Sequence, residues 1–232
     1  MTEAKALTAD TLTVQHVSDA ITNAVREGRL VPGQRLTEID FAKRLGVSRP
    51  SVREAFRQLT ADGLLQAQPY RGVRVRHMNR REVDDLFVVR ATLEGLAVRL
   101  ATPALQNNTT ALLAIQTDLD AAEARNDLAA MSRHNLAFHM LFSDISGNAL
   151  LREQLRRISN NVYWLQFRVM VADEKVLRTN TQHRDIVNAI CRGDVKTAEA
   201  IMIDHIDQSR QLVQSLPDNH FSDNITDSPG DT

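Results

Sequence analysis

The chain has 232 residues, of which 43% are hydrophobic, 25% charged and only 4% aromatic, a balance typical of a globular protein rich in helix. Its apolar runs are too short to span a bilayer, its N-terminus lacks the apolar core of a signal peptide, and its single cysteine excludes an internal disulfide, so we expect a cytoplasmic protein without a membrane partner. Residues 1–80 carry 13 Lys+Arg and 8 Asp+Glu, whereas the rest carry 15 and 21. A basic portion joined to an acidic remainder indicates a polyanionic partner at one end only.

Three helices are predicted in the basic portion. Apolar residues at steps of three and four predict the first over residues 13–28. Thr37 is a good N-cap for a short second helix, which Gly46 ends. Ser48 caps the third, which continues to residue 62. Two short helices joined by a tight turn form a helix-turn-helix, and the third helix is then its recognition helix.

The N-terminus of the recognition helix carries a candidate DNA-binding surface. Arg49 and Arg53 form a stripe beside the apolar face, so that face can pack on a core while the arginines reach outward. An arginine fork pairs bidentately with guanine or with phosphate, and small hydroxyls at a helix N-terminus suit phosphates. An ordinary solvated arginine face is the alternative.

Two short predicted strands, residues 64–67 and 73–76, add a basic wing to the helix-turn-helix. The predicted tip of the wing, Arg71-Gly72, can lie against phosphates or in the minor groove. We therefore predict a winged helix-turn-helix domain over residues 13–76, preceded by a flexible N-terminus.

The remainder of the chain predicts an all-helical bundle over residues 82–216. A polar linker at residues 77–81 precedes it, and a tail rich in Asp, Asn, Ser, Pro and Gly, predicted to be disordered, follows at residues 217–232. The fold class is thus mainly α, with a winged helix-turn-helix before a bundle of about six helices. The predicted helices lie near residues 82–101, 108–125, 127–145, 148–171, 175–192 and 194–215.

Polar residues interrupt the apolar faces of three bundle helices. Asn135 and His139 lie four residues apart on one helix, and His183 and His205 lie on two others. An unpaired buried polar group costs roughly 1–3 kcal/mol, so the four suggest a shared partner. Imidazole nitrogens with an amide oxygen suit a borderline divalent ion such as zinc or nickel. Satisfied core side chains are the alternative.

Arg90 and Glu94 interrupt the inner face of the first bundle helix. Their spacing fits an internal ion pair between consecutive turns. It also fits an arginine fork that binds the carboxylate or phosphate of an effector.

Several stretches resemble GntR-family bacterial repressors. Residues 32–38, 45–55 and 62–64 are similar to the DNA-binding domain of that family. The resemblance implies DNA contacts for the residues that match the family's contact positions, namely Ser48, Arg49, Ser51, Arg53 and the wing glycine, Gly72.

The second half resembles the FCD effector domain of the FadR subfamily, in residues 135–139, 146–151 and 183–190 and at His205. Six predicted helices rather than seven place it near the VanR-like branch. The resemblance implies a metal bound through Asn135, His139, His183 and His205. The family usually has Asp where this chain has Asn135, and a neutral amide oxygen is a weaker ligand.

Residues and resemblance together predict a transcription regulator that is not an enzyme. We expect a homodimeric repressor that binds an inverted-repeat DNA operator and is controlled by a small carboxylate metabolite held by the metal and Arg90. A direct metal-ion sensor and a metal-dependent hydrolase fused to a DNA-binding domain are the alternatives.

Overall fold

The computed structural model describes residues 9–68, 72–172 and 179–223, and the chain divides into two compact units, Met1–His77 and Met78–Thr232. Both units are mainly helical, as predicted. Within the described ranges, no helix is long and apolar enough to cross a membrane.

The N-terminal unit has the predicted winged helix-turn-helix order. Its elements are α1 Ala9–Arg26, β1 Arg35–Leu36, α2 Glu38–Leu45, α3 Arg49–Ala61, β2 Leu65–Gln68 and β3 Gly72–Val75. The strands form an antiparallel sheet in the order β1-β3-β2, in which Arg74 of β3 lies opposite both Arg35 and Gln66. The two-residue strand β1 was not predicted, because a strand this short has no periodicity.

Local rules explain the boundaries of the helix-turn-helix. The Thr37 hydroxyl caps α2 by accepting from the Asp40 amide, and Gly46 ends it with φ 67°, in the left-handed region that glycine favours. α3 packs on α1, and its Phe56 meets Phe41 of α2 edge to face at a centroid distance of 5.7 Å. The predicted flexible N-terminus is wrong in part, because α1 already begins at Ala9.

The C-terminal unit contains the predicted helical bundle. Its elements are α4 Arg80–Asn107, α5 Thr110–Ala124, α6 Leu128–Ile145, α7 Ala149–Ala172, α8 Thr179–Cys191, α9 Val195–Gln214 and a short 3-10 helix, Asp218–His220. Helix α4 is central, since α6, α7, α8 and α9 all pack on it.

Helix α4 is longer than predicted at both ends. It begins at Arg80, inside the predicted linker, because Asn79 and Glu82 form a capping box. It also continues past the predicted break at Pro103. Pro103 lies on the exposed side, where water can satisfy the carbonyl that its ring leaves free, and burial of Leu105 in the core holds the following turn in place.

The prediction of a disordered tail from residue 217 is wrong for residues 217–223. Phe221 is buried in the core of the unit. The Arg80 guanidinium lies 4.1 Å above the Phe221 ring, bonds to Asp218 at 2.6 Å and donates to two carbonyls at the end of α9. One apolar side chain and one arginine therefore outweigh the polar composition of this segment. The rest of the tail lies outside the described residues.

Candidate nucleic-acid interface and metal centre

The N-terminus of the recognition helix presents Ser48 and Arg49 to solvent. Ser51, which the resemblance assigns to DNA contact, is buried, and its hydroxyl lies 2.7 Å from that of Ser48, which also accepts from the Ser51 amide. Ser51 therefore orients the Ser48 hydroxyl, whereas Ser48 and Arg49 are the groups accessible to a ligand.

Glu38, which sequence reasoning did not single out, organises the arginines. Arg53 Nε and Nη2 each donate to a different oxygen of the Glu38 carboxylate at 2.8 Å, and Arg49 Nη2 lies 3.7 Å from the same carboxylate. The hydrogen bonds from Arg53 hold the pKa of Glu38 below its ordinary value. Exposed ion pairs are worth at most about 1 kcal/mol, so DNA can displace this one.

A groove of about 560 Å³ lies between α2, α3 and the wing. Among the described residues, its walls contain four arginines and one acidic residue, namely Arg35, Arg49, Arg53, Arg57 and Glu38. This excess of positive charge suits a polyanion.

The wing brings Gly72 to the same groove. Gly72 has φ +85°, and a Cβ there would lie 3.4 Å from the Leu36 carbonyl oxygen, so a larger residue would strain the wing. Arg71, the other predicted wing residue, lies outside the described part of the chain.

The three predicted metal-binding histidines converge inside the C-terminal unit. His139 of α6, His183 of α8 and His205 of α9 are all buried. The Nε2 atom of His205 lies 3.2 Å from that of His183 and 3.4 Å from that of His139, and candidate ligand atoms of all three lie within 4.8 Å of one another. Two nitrogens on a tetrahedral ion at 2.0–2.1 Å are about 3.3 Å apart, so the spacing fits one shared ion.

In His139 and His205, the hydrogen bond at Nδ1 determines the role of Nε2, the ring nitrogen that faces the other histidines. His139 Nδ1 lies 3.2 Å from Glu94 Oε2, and His205 Nδ1 lies 3.1 Å from Gln182 Oε1. Gln182 donates its Nε2 to Asp204, which fixes the amide orientation. Both Nδ1 atoms therefore donate, and two Nε2 lone pairs face each other at 3.4 Å. With both rings neutral, a cation between these two lone pairs would satisfy them, and the donor set fits a borderline divalent metal.

His183 and His205 are both in the neutral form. Burial lowers the pKa of both His183 and His205 well below the ordinary value, and the charge of a protonated His139 would lower both further. Both rings are thus neutral, which is the form that binds metals. The buried Nδ1 atom of His183 has no hydrogen-bond partner in the described ranges.

The Arg90–Glu94 ion pair expected from the sequence is present beside the histidines. The side chains are only 2% and 1% exposed, and Arg90 Nε and Nη2 both lie 3.2 Å from Glu94 Oε1. Burial alone would raise the pKa of Glu94, but the charges and hydrogen bonds of His139 and Arg90 outweigh it and lower that pKa. Arg90 Nη1 is buried without a partner among the described residues, so the fork also retains a donor for a ligand. The sequence did not reveal that Glu94 joins Arg90 to His139.

Asn135 lies one helical turn before His139 on α6 and is half-buried. It shares the histidine's face of the helix, as the spacing predicted. Its role as a fourth ligand remains a prediction.

Family comparisons agree with both halves of the chain. Residues 13–75 match the family described as "Bacterial regulatory proteins, gntR family", and residues 85–208 match the FCD domain. The chain belongs to the GntR family of bacterial regulators. As a GntR-family protein with an FCD domain, it is a DNA-binding transcription regulator, and its histidine cluster and Arg90 lie within the FCD match.

Relatives and solved structures extend this assignment. The GntR-family chain is 29% identical over 202 residues to a Paenarthrobacter nicotinovorans protein named "Probable D-xylose utilization operon transcriptional repressor", covering 87% of this chain and 88% of that protein. It is 28% identical over 191 residues to the Escherichia coli repressor RspR, covering 81% and 82%. The fold is similar to that of E. coli McbR/YncC, with a TM-score of 0.79 and 20% identity over 87% of this chain and 97% of that chain.

Proposed function

We propose that this regulator is a cytoplasmic, homodimeric repressor of the FadR subfamily, VanR-like branch, whose operator affinity is controlled by a small carboxylate effector at a zinc or nickel site. The convergence of three histidine rings carries this proposal, together with the Arg90 guanidinium, which Glu94 joins to His139 and whose Nη1 is unpaired among the described residues. The six α-helices α4–α9 of the described bundle support the branch, and the names of two relatives support repression.

DNA binding in this proposal uses the groove of the N-terminal unit. Arg49 and Arg53 supply forks for base edges or phosphates, and Glu38 releases them when DNA arrives. A homodimer with two-fold symmetry requires an inverted-repeat operator. The proposed DNA contacts are those of Ser48, Arg49, Arg53, Arg71 and Gly72, with Ser51 acting through Ser48.

In the effector site, His139, His183 and His205, together with Asn135, would hold the metal. A bound divalent metal supplies Lewis-acid charge to a site in which Arg90 and Glu94 otherwise cancel, and the resulting positive charge favours an anion. The free Nη1 of Arg90 offers a donor to a carboxylate. Neutral compounds should therefore bind poorly, and dicarboxylates or hydroxy acids should bind best.

Helices α4 and α9 connect the proposed effector site to the start of the C-terminal unit, next to the linker. Helix α4 carries Arg90 and Glu94 and begins at Arg80, three residues after the boundary at His77. Arg80 holds the last turn of α9, the helix of His205. A ligand that moves Arg90 or His205 would thus bias α4, which begins just after the linker, and α9, which Arg80 joins to the start of α4, and so shift the population that binds DNA.

The two alternatives differ from this proposal in their chemistry. A direct metal sensor would respond to the ion without an acid. A hydrolase would need a free general base, whereas the Glu94 carboxylate is already shared between Arg90 and His139.

Titration of DNA binding tests the proposal. A duplex enriched from a random pool by the full-length protein would be titrated by fluorescence anisotropy, with and without chelator and with a panel of small acids. We expect a dicarboxylate or hydroxy acid to lower operator affinity only when metal is present. An equal response in fully metal-free protein would overturn the effector model, and a response to metal alone would favour the direct sensor.

A further inference from the structure

One large apolar side chain lies exposed in the groove that the arginines line. Ile39, the second residue of α2, is 61% exposed and lines this groove together with Arg49 and Arg53. Isolated exposed aliphatic residues are common and carry no meaning by themselves. The informative feature is the position of Ile39. It lies in a groove rich in guanidinium groups, and such a groove suits a polyanion.

Packing does not account for this side chain. The apolar contact of α2 with α3 is made by Phe41, which is buried against Phe56. The first turn of α2 is held by the Thr37 cap instead. We therefore expect the fold to tolerate a polar residue at position 39, so a ligand contact is one role that the exposed isoleucine can fill.

The chemistry of the major groove indicates which part of DNA suits Ile39. The phosphates of the DNA backbone are charged, and the apolar group on the major-groove edges of the bases is the 5-methyl of thymine. Ile39 follows Glu38 directly in the chain, and the Glu38 carboxylate holds the Arg53 fork at 2.8 Å. An apolar contact at Ile39 would thus accompany the base or phosphate contacts of the forks. A β-branched side chain also loses little rotamer freedom when it makes such a contact.

We infer that Ile39 contacts the 5-methyl group of a thymine in each operator half-site and is a specificity-determining residue of this regulator. The inference rests on the proposed DNA-binding surface and adds the base that it reads. A protein partner on the same face would need to cover the four arginines of the groove walls, which favours DNA as the occupant.

Replacement of thymine by deoxyuridine tests the methyl contact directly, because it removes the methyl group and preserves base pairing. The probe is the duplex that the full-length protein enriches from a random pool, with each dT replaced in turn by dU. Burial of one methyl group corresponds to about a four-fold change in affinity. We expect a single dU at the contacted position of either half-site to weaken binding by the wild-type protein by about four-fold, and Ile39→Ala to bind dT and dU equally.

Two further variants make the result decisive. Ile39→Val keeps a branched methyl group and should keep part of the discrimination. Val31→Ala removes another exposed aliphatic side chain of the same unit, 45% exposed and not a wall of the groove, and should discriminate as the wild type does.

The possible outcomes distinguish failure of the methyl contact from failure of the proposed DNA-binding surface. If Arg49→Ala lowers specific operator affinity as expected but dU has no effect at any position, the methyl contact is refuted and the DNA-binding surface stands. If Ile39→Ala still discriminates dT from dU, another residue reads the methyl group and the inference is likewise wrong. A protein that enriches no sequence would overturn the surface and the inference together.

Discussion

The histidine cluster predicts that a divalent metal controls the thermal stability of the C-terminal unit. A ligand that binds only the folded state stabilises it by about 2.7 kcal/mol at one hundred times its Kd. Since 1 kcal/mol shifts the Tm of a protein this size by about 2–4 °C, saturating metal should raise Tm by about 5–11 °C. His205→Ala removes the imidazole whose Nε2 lies 3.2 Å from that of His183 and 3.4 Å from that of His139, and should abolish that rise.

Circular dichroism melts of chelator-stripped protein, with zinc or nickel added back, measure this effect. The readout is the metal-induced shift and not the starting Tm, because loss of a buried ring destabilises the fold by itself. His205→Gln, which retains more volume, should also lack the shift. His134→Ala is the matched control, because His134 is a half-exposed histidine on α6 whose ring faces Asp118. A wild-type Tm that no divalent metal raises, or an undiminished shift in His205→Ala, would leave the three histidines as a polar cluster of the core.

Four further predictions follow from the same geometry. Glu94→Gln should weaken metal binding about 10- to 100-fold, because the group that orients a metal-binding imidazole loses its charge; competition with a chromophoric chelator measures this, and unchanged affinity would refute the role. Asn135→Asp should raise affinity in the same assay, because a carboxylate adds negative charge to the metal's ligands; no gain would argue against Asn135 as a ligand. Arg49→Ala should lower specific operator affinity by about 1–3 kcal/mol, measured by anisotropy at fixed salt; full affinity would contradict the recognition-helix assignment. Phe221→Ala should destabilise the C-terminal unit by about 3–5 kcal/mol in denaturant unfolding, because a buried aromatic side chain is lost; a loss near zero would show that the segment after α9 contributes little.

The helix-turn-helix could be predicted closely because its signals are local. The caps Thr37 and Ser48 and the left-handed Gly46 act within one turn of the residues that they end or begin. The inward direction of the three histidines was also predictable, because a helical face is defined by spacing along one helix. In both cases, the feature is determined by interactions or spacing within a few residues along one helix.

Features that depend on distant contacts were missed. Glu94 reaches His139 across 45 residues, and Glu38 reaches Arg53 across 15. Helical periodicity shows which face a residue occupies, but not how that face is rotated toward a neighbouring helix. The break predicted at Pro103 was wrong for a related reason, because tertiary burial of the following turn outweighs a local preference.

Two buried groups without partners among the described residues, Arg90 Nη1 and His183 Nδ1, favour the proposed ligand-binding role of the polar cluster in the C-terminal unit. Each such group costs about 1–3 kcal/mol, which a purely structural core would avoid by using apolar residues of similar volume. Arg90 acts on the pKa of His205, so the unpaired guanidinium nitrogen belongs to a group that is electrostatically coupled to the histidines. A ligand that gives Arg90 Nη1 a hydrogen bond would remove a penalty built into the unliganded fold. Effector binding should therefore stabilise the bundle, and regulation requires in addition that the bound state differ from the free state in its affinity for DNA.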